Sequence, residues 1–112
     1  MSESAWAAAP SPLGQWVRVD SAVKTDITKC GKDYCAVNIW VRNPAGAERV
    51  GDRLVMMLAP GTHADVLRGS AYDVRRRRHY LITLTLDGTH MTTKGCILFG
   101  IICKSARWNR ID

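Results

Sequence analysis

The sequence predicts an all-β protein, an eight-stranded antiparallel up-and-down barrel. Apolar and polar residues alternate with a period of two along segments such as "CAVNIWVR" at 35–42 and "HYLITLTL" at 79–86, and this period is typical of strands. Turn-forming residues separate these segments, for example "NPAG" at 43–46 and "DG" at 87–88. Short, even connections indicate neighbouring antiparallel strands, and closing them into a barrel leaves no exposed edge. A β-sandwich is the alternative.

Each predicted strand lies between two such breaks. The first follows the proline-rich start of the chain, and the second and third flank "GKDY". The fourth lies between "NPAG" and "APG", the fifth and sixth flank a run of arginines, and the seventh follows "DG". The eighth follows "ILFGII", which is interpreted as a hairpin loop. The predicted strands are 15–20, 23–30, 35–42, 53–58, 66–73, 79–86, 90–96 and 101–111.

Length and composition indicate one globular domain. The chain has 112 residues, of which 46% are hydrophobic and 23% charged, and a chain of this size can bury about two thirds of its unfolded surface. No apolar run approaches the roughly 18 residues that a membrane-spanning helix needs. The sequence therefore predicts a single barrel domain over residues 14–112, without a transmembrane segment and with a monomer favoured.

The first thirteen residues have a different composition, rich in alanine, serine and proline. Ala5-Trp6-Ala7 has the pattern of a signal-peptidase site, although no apolar or basic region precedes it. We interpret residues 1–13 as a disordered segment left from a secretory signal region. A flexible N-terminus of a cytosolic protein is the alternative.

Several segments together resemble a known family. The order of "GQW" at 14–16, "CGKDYCAVNIWVRNP", "LRGSAYDV" and "KGCILFGIICKSARWNRI" is similar to that of the bacterial domain-of-unknown-function family numbered 2147. The resemblance extends over residues 14–111, and the C-terminal pattern G-C-x6-C-K-S-x-x-W-x-R-I is its most specific part. It implies a lipocalin-like, calycin-type barrel without an assigned activity, in a protein that is usually exported, hence periplasmic or secreted.

The start of the first predicted strand is also similar to the G-x-W motif of lipocalins. In that fold the indole fills the base of the barrel and a late arginine packs over it. The resemblance implies that Gly14, Trp16 and Arg110 form such a plug, with Arg107 as the alternative arginine. Stacking of a guanidinium group on an indole face gives this contact a physical basis.

The four cysteines are interpreted as two disulfides. Cys30 with Cys35 and Cys96 with Cys103 each flank a predicted hairpin loop, which brings the Cα atoms close to the separation that a disulfide requires. The spacing of Cys30 and Cys35 is at the edge of the range usual for zinc ligands, that of Cys96 and Cys103 lies outside it, and the C-x-x-C of thioredoxin-type motifs is absent. Cross-pairing, free thiols and metal binding remain alternatives.

The chain is basic, with a formal net charge of +6. The densest feature is the run Arg75, Arg76, Arg77 and Arg78 on a predicted hairpin loop. A solvated loop tip is the simplest interpretation, and a contact with an anionic envelope component is the alternative. No recognisable nucleic-acid motif accompanies the run, so specific nucleic-acid binding is not predicted.

The sequence predicts no catalytic site, cofactor or metal site. The three histidines are isolated from one another, and no serine lies in a nucleophile motif. The leading hypothesis is a non-catalytic binding module for a small hydrophobic ligand, by analogy with the fold. The alternative is an envelope-associated protein with a filled barrel and a basic surface. The candidate ligand-facing residues are Trp40, Met56, Leu84 and Met91.

Overall fold

The computed structural model describes residues 11–61 and 63–112. Its eight strands form one closed antiparallel barrel in which each strand pairs with the next in the chain and the last pairs with the first. The all-β barrel predicted from the alternating pattern is therefore confirmed. The strands are β1 (Gly14–Arg18), β2 (Val23–Cys30), β3 (Asp33–Val41), β4 (Arg53–Pro60), β5 (Val66–Asp73), β6 (Arg78–Asp87), β7 (His90–Ile97) and β8 (Ile102–Arg110).

The up-and-down order places the loops at two ends of the barrel. The β1–β2, β3–β4, β5–β6 and β7–β8 loops lie at one end, which we call the mouth end. The other three loops lie at the opposite end with the first residue of β1 and the last residue of β8, and we call this the closed end. Among the described residues, no helix is long and apolar enough to cross a membrane.

The core consists of inward-facing side chains from most of the strands. Alternation in β6 shows the pattern clearly. Ile82, Leu84 and Leu86 are buried, whereas Leu81, directly before Ile82, is exposed. Trp16 is fully buried at the closed end and packs in the same cluster. Burial of these apolar side chains is the main favourable contribution to the stability of the barrel.

The predicted disordered segment 1–13 lies outside the described residues over positions 1–10. Residues 11–13 are described, and they lie against the closed end of the barrel. The Pro12 side chain is buried, and its carbonyl accepts a hydrogen bond of 2.9 Å from the indole nitrogen of Trp16. These three residues therefore belong to the packed structure rather than to the segment before it.

Two disulfides stabilise hairpins at opposite ends. Cys30 pairs with Cys35 across the β2–β3 hairpin at the closed end, and Cys96 pairs with Cys103 across the β7–β8 hairpin near the mouth end. This is the pairing favoured from the sequence, and each pair joins the two strands of one short hairpin. No free cysteine is present in the described part of the chain.

Candidate ligand-binding site

The barrel interior contains a cavity of about 190 Å³ that lies next to polar residues of the mouth end. Its deeper wall is apolar and its rim carries charged residues of the β3–β4 loop, β4, β5 and the β5–β6 turn. The barrel is therefore not completely filled by its own side chains. The apolar wall consists of Ile27, Ala36, Leu54, Met56, Ile82, Leu84, Met91 and Trp108.

Three of the four candidate ligand-facing residues lie in this wall. Met56, Leu84 and Met91 are each at most 3% exposed and line the cavity. Trp40 does not line it and is 41% exposed on the outside of the barrel. The assignment of Trp40 to the interior is therefore wrong.

A β-bulge explains the position of Trp40. Thr25 of β2 is opposite Asn38 of β3, but the preceding residue, Lys24, is opposite Trp40, so that Ile39 is an extra residue in β3. An extra residue reverses the inward and outward alternation beyond it. Val41 consequently takes the buried position, and the Trp40 ring lies under the ammonium group of Lys24 at 5.2 Å.

Two hydrogen bonds satisfy polar groups in the cavity wall. The hydroxyl of Thr25 donates to the side-chain carbonyl of Asn38 at 3.1 Å, and the indole nitrogen of Trp108 donates to the hydroxyl of Thr93 at 3.1 Å. None of the buried side-chain nitrogen or oxygen atoms in the described residues lacks a partner. The wall therefore combines a large apolar surface with a few fixed polar groups, as ligand pockets do.

Charged residues at the rim form a network that connects two loops. Arg75 in the β5–β6 turn donates two hydrogen bonds to the carboxylate of Asp52 in the β3–β4 loop, at 2.5 and 2.9 Å. Arg76 donates to Asp73 at 2.8 Å and to the carbonyl of Ala47 at 2.6 Å. These contacts hold the β3–β4 loop beside the mouth.

The arginine run is consequently divided into two parts. Arg75 and Arg76 donate hydrogen bonds to groups of the protein itself, so they are not free for the anionic contact that was the alternative interpretation of the run. Arg77 and Arg78 are exposed and take part in none of the ion pairs within the described residues. The contact of Arg75 was not visible in the sequence, because the carboxylate of Asp52 lies 23 residues before Arg75 in the chain.

The hydrogen bonds from Arg75 hold the pKa of the Asp52 carboxyl below its ordinary value of 3.8, against the opposing effect of burial. A carboxyl whose pKa is lowered by folding stabilises the folded state above its unfolded pKa and loses that contribution as the pH falls. We expect acidification from neutral pH to about pH 3 to destabilise the unaltered protein more than the Asp52→Asn variant. Urea denaturation at several pH values measures this difference. Parallel pH profiles of the two proteins would contradict the role of Asp52.

The residues of the implied plug lie together at the closed end. The guanidinium carbon of Arg110 lies 4.2 Å from the centre of the Trp16 ring, and the two residues are paired across β1 and β8. Arg110 also donates to the carbonyls of Leu13 and Ser11 at 2.6 and 2.8 Å. The alternative arginine, Arg107, is exposed and is paired with Thr92.

The structure explains why position 14 is a glycine. Its φ of +127° is rarely adopted by residues with a side chain, and a Cβ atom there would lie 2.6 Å from the guanidinium group of Arg110. The absence of a side chain therefore allows Arg110 to pass over the start of β1 and reach the indole.

Sequence reasoning missed the polar residues of the cavity wall. Asn38 and Thr25 face inwards, and a polar residue at an inward position of a strand was a usable signal. Trp108 was also detectable, because it is two residues before Arg110 on the same strand and therefore lies on the same face. The carboxylate of Asp52 gave no signal of its own, because only the folded β3–β4 loop brings it to Arg75 of the β5–β6 turn.

The described residues contain no cluster of three or more histidine, cysteine, aspartate or glutamate side chains that could hold a metal ion.

The fold and the site together define a small disulfide-bonded β-barrel with a narrow apolar cavity next to one end. A family model described as an uncharacterised protein conserved in bacteria, DUF2147, matches residues 14–110. The chain belongs to this family. No curated protein and no solved structure matches the chain significantly.

Proposed function

We propose that the protein is a non-catalytic binding module that holds a small hydrophobic molecule inside the barrel. The observation that carries this proposal is the cavity of about 190 Å³ with its apolar wall. Pockets for drug-sized ligands usually measure about 300–1,000 Å³, whereas an apolar cavity of about 150 Å³ accepts benzene. The size supports a ligand with a single ring or a short aliphatic chain.

The polar groups suggest how such a ligand would be oriented. Met56, Leu84 and Met91 form the apolar part of the wall, and Asp73 and Arg76 lie at its rim. A ligand would bury its apolar part among the three apolar side chains and direct any polar group towards Asp73 and Arg76. A polar group placed against the apolar wall would lose its hydrogen bonds to water without gaining others.

The methionine methyl groups provide a direct test. Met56 faces the cavity and is 2% exposed, whereas its neighbour Met57 faces outwards and is 45% exposed. Protein labelled with carbon-13 at the methionine methyl groups is titrated with benzene or a short-chain alcohol and followed by NMR. We expect the signals of Met56 and Met91 to shift with saturation while that of Met57 remains unchanged.

A substitution that fills the cavity should abolish this response. Ala36→Leu adds three carbon atoms to the wall, whereas Ala59→Leu adds the same group on the exposed surface of the adjacent strand β4. We expect saturable binding to be lost in the first variant and retained in the second. Equal shifts of Met56 and Met57, or unchanged binding by Ala36→Leu, would contradict binding in the lumen.

We also propose that the protein acts in an exported, oxidising compartment, periplasmic or extracellular. Two disulfides in a chain of 112 residues support this, because disulfides persist mainly in oxidising environments. Fractionation of the natural host, with sequencing of the N-terminus of the mature protein, tests it. Protein found only in the cytosol with reduced thiols would contradict the proposal.

A further inference from the structure

The loop between β7 and β8 exposes large apolar side chains at the mouth end. Leu98, Phe99, Ile101 and Ile102, which we call the apolar tip, have exposed fractions of 57%, 101%, 80% and 53%. Such a cluster is unfavourable in water and usually marks a surface that contacts another apolar phase or molecule.

The backbone holds this tip in a defined shape. Leu98 and Phe99 both have positive φ values, 53° and 58°, a conformation that is uncommon for bulky residues. The amides of Gly100 and Ile101 donate hydrogen bonds to the carbonyls of Ile97 and Leu98, each at 3.2 Å. The Cys96–Cys103 disulfide joins the two strands at the base of the tip. The apolar side chains are therefore presented by a stapled hairpin.

The charge of the protein is concentrated at the same end. The four mouth-end loops, with the three residues on either side of each loop, contain ten of the sixteen Lys and Arg residues but only four of the ten Asp and Glu residues. This region therefore accounts for the whole net charge of +6. The basic residues are Arg18, Lys24, Arg42, Arg49, Arg53, Arg75, Arg76, Arg77, Arg78 and Lys104, and the acidic residues are Asp20, Glu48, Asp52 and Asp73.

All four of these acidic residues are paired with arginines of the same end. Asp20 and Glu48 are paired with Arg18, Asp52 with Arg75, and Asp73 with Arg76. Arg77 in the β5–β6 turn and Arg78 at the start of β6 are exposed, and β6 is the strand next to β7, which leads into the apolar tip. An anionic surface that approaches the tip would thus meet arginines whose charge is not already neutralised.

We propose that the apolar tip inserts into the interface of a bilayer containing anionic phospholipids, with the basic mouth end facing the headgroups. Apolar side chains that enter the interface together with flanking cations are the combination that binds such membranes, and each basic residue near an anionic surface contributes about a fivefold increase in affinity. A second copy of this chain is a less suitable partner, because contact between two tips would bring two ends of charge +6 together. This inference is independent of the ligand proposal, because none of the tip residues lines the cavity.

Flotation with phosphatidylcholine vesicles, with and without phosphatidylglycerol, tests the proposal. We expect binding to the anionic vesicles only, and about a tenfold or greater loss of partitioning in Phe99→Ser, because a buried phenylalanine side chain contributes at least that much. Ile111→Ser removes a half-exposed apolar residue near the closed end and should change partitioning by less than about twofold. Phe99 is fully exposed, so its replacement should leave the fold intact.

The charge contribution is tested with matched double variants. We expect Arg77→Gln/Arg78→Gln to reduce partitioning by about tenfold or more. Lys32→Gln/Arg68→Gln removes the same charge from exposed positions closer to the other end and should have much less effect. Ala36→Leu should bind vesicles normally, which separates this inference from the ligand proposal.

Three results would overturn the proposal. The first is the absence of binding to anionic vesicles. The second is binding that persists unchanged in Phe99→Ser, which would indicate a purely electrostatic contact. The third is evidence that the tip is a protein interface. Such evidence would be a dimer in sedimentation velocity that Phe99→Ser converts to monomer, or capture of a protein partner through Phe99 without any vesicle binding.

Discussion

Replacement of Trp16 by alanine should lower the free energy of unfolding by about 3–5 kcal/mol, the usual range for a buried large aromatic side chain. Trp16 is completely buried at the closed end, where its ring packs in the core and its indole nitrogen donates to the carbonyl of Pro12. Urea denaturation measures the loss. Trp40→Ala is the matched control, because Trp40 is 41% exposed on the outer surface and its replacement should cost much less.

A double-mutant cycle tests whether Arg110 acts together with Trp16. Arg110→Ala should cost about 1–2 kcal/mol through the lost stacking and the lost hydrogen bonds to Leu13 and Ser11. Residues in contact usually couple by about 0.5–3 kcal/mol, whereas independent residues add within about 0.3–0.5 kcal/mol. Additive losses would contradict the plug.

Removal of both disulfides should have an effect of similar size. Each encloses a short loop, and the chain-entropy model gives a stabilisation of about 2–3 kcal/mol for each bond, or about 4–6 kcal/mol for both. The two contributions are measured by urea denaturation of the double variants Cys30→Ala/Cys35→Ala and Cys96→Ala/Cys103→Ala, and of the variant that combines all four substitutions.

A reducing agent provides the corresponding control. It should lower the stability of the unaltered protein to about that of the combined variant and should leave the combined variant unchanged. Thiol titration of the denatured, unreduced protein should detect no reactive cysteine. Four reactive thiols in protein from its natural source would contradict the disulfides, and with them the argument for an oxidising compartment.

The strands were predictable because their alternation is a local property of the sequence. The prediction of 66–73 for the fifth strand coincides with Val66–Asp73, since "APG" precedes this segment and the run of arginines follows it. The bulge at Ile39 was not predictable, because no residue type distinguishes it, and this single extra residue moved Trp40 from the interior to the surface.

The site was less accessible to sequence reasoning than the fold. Met56, Leu84 and Met91 were identified because inward positions follow from the period of two. The engagement of Arg75 with Asp52 depends on the relative positions of two loops, and no local pattern encodes it. The hairpin loop predicted at "ILFGII" was confirmed, but its apolar residues gave no indication of the cluster that they expose at the mouth end.

The junction between β1 and β8 has a consequence for how the barrel forms and opens. Seven of the eight strand junctions join segments that follow one another in the chain, whereas this one joins residues on the order of 90 positions apart through only three residue pairs. Bringing such distant segments together costs the most chain entropy, so this junction should form last during folding and separate first in local unfolding. Trp16 and Arg110 are one of its three pairs. We therefore expect their contact to slow the opening of the closed barrel, in addition to packing its base.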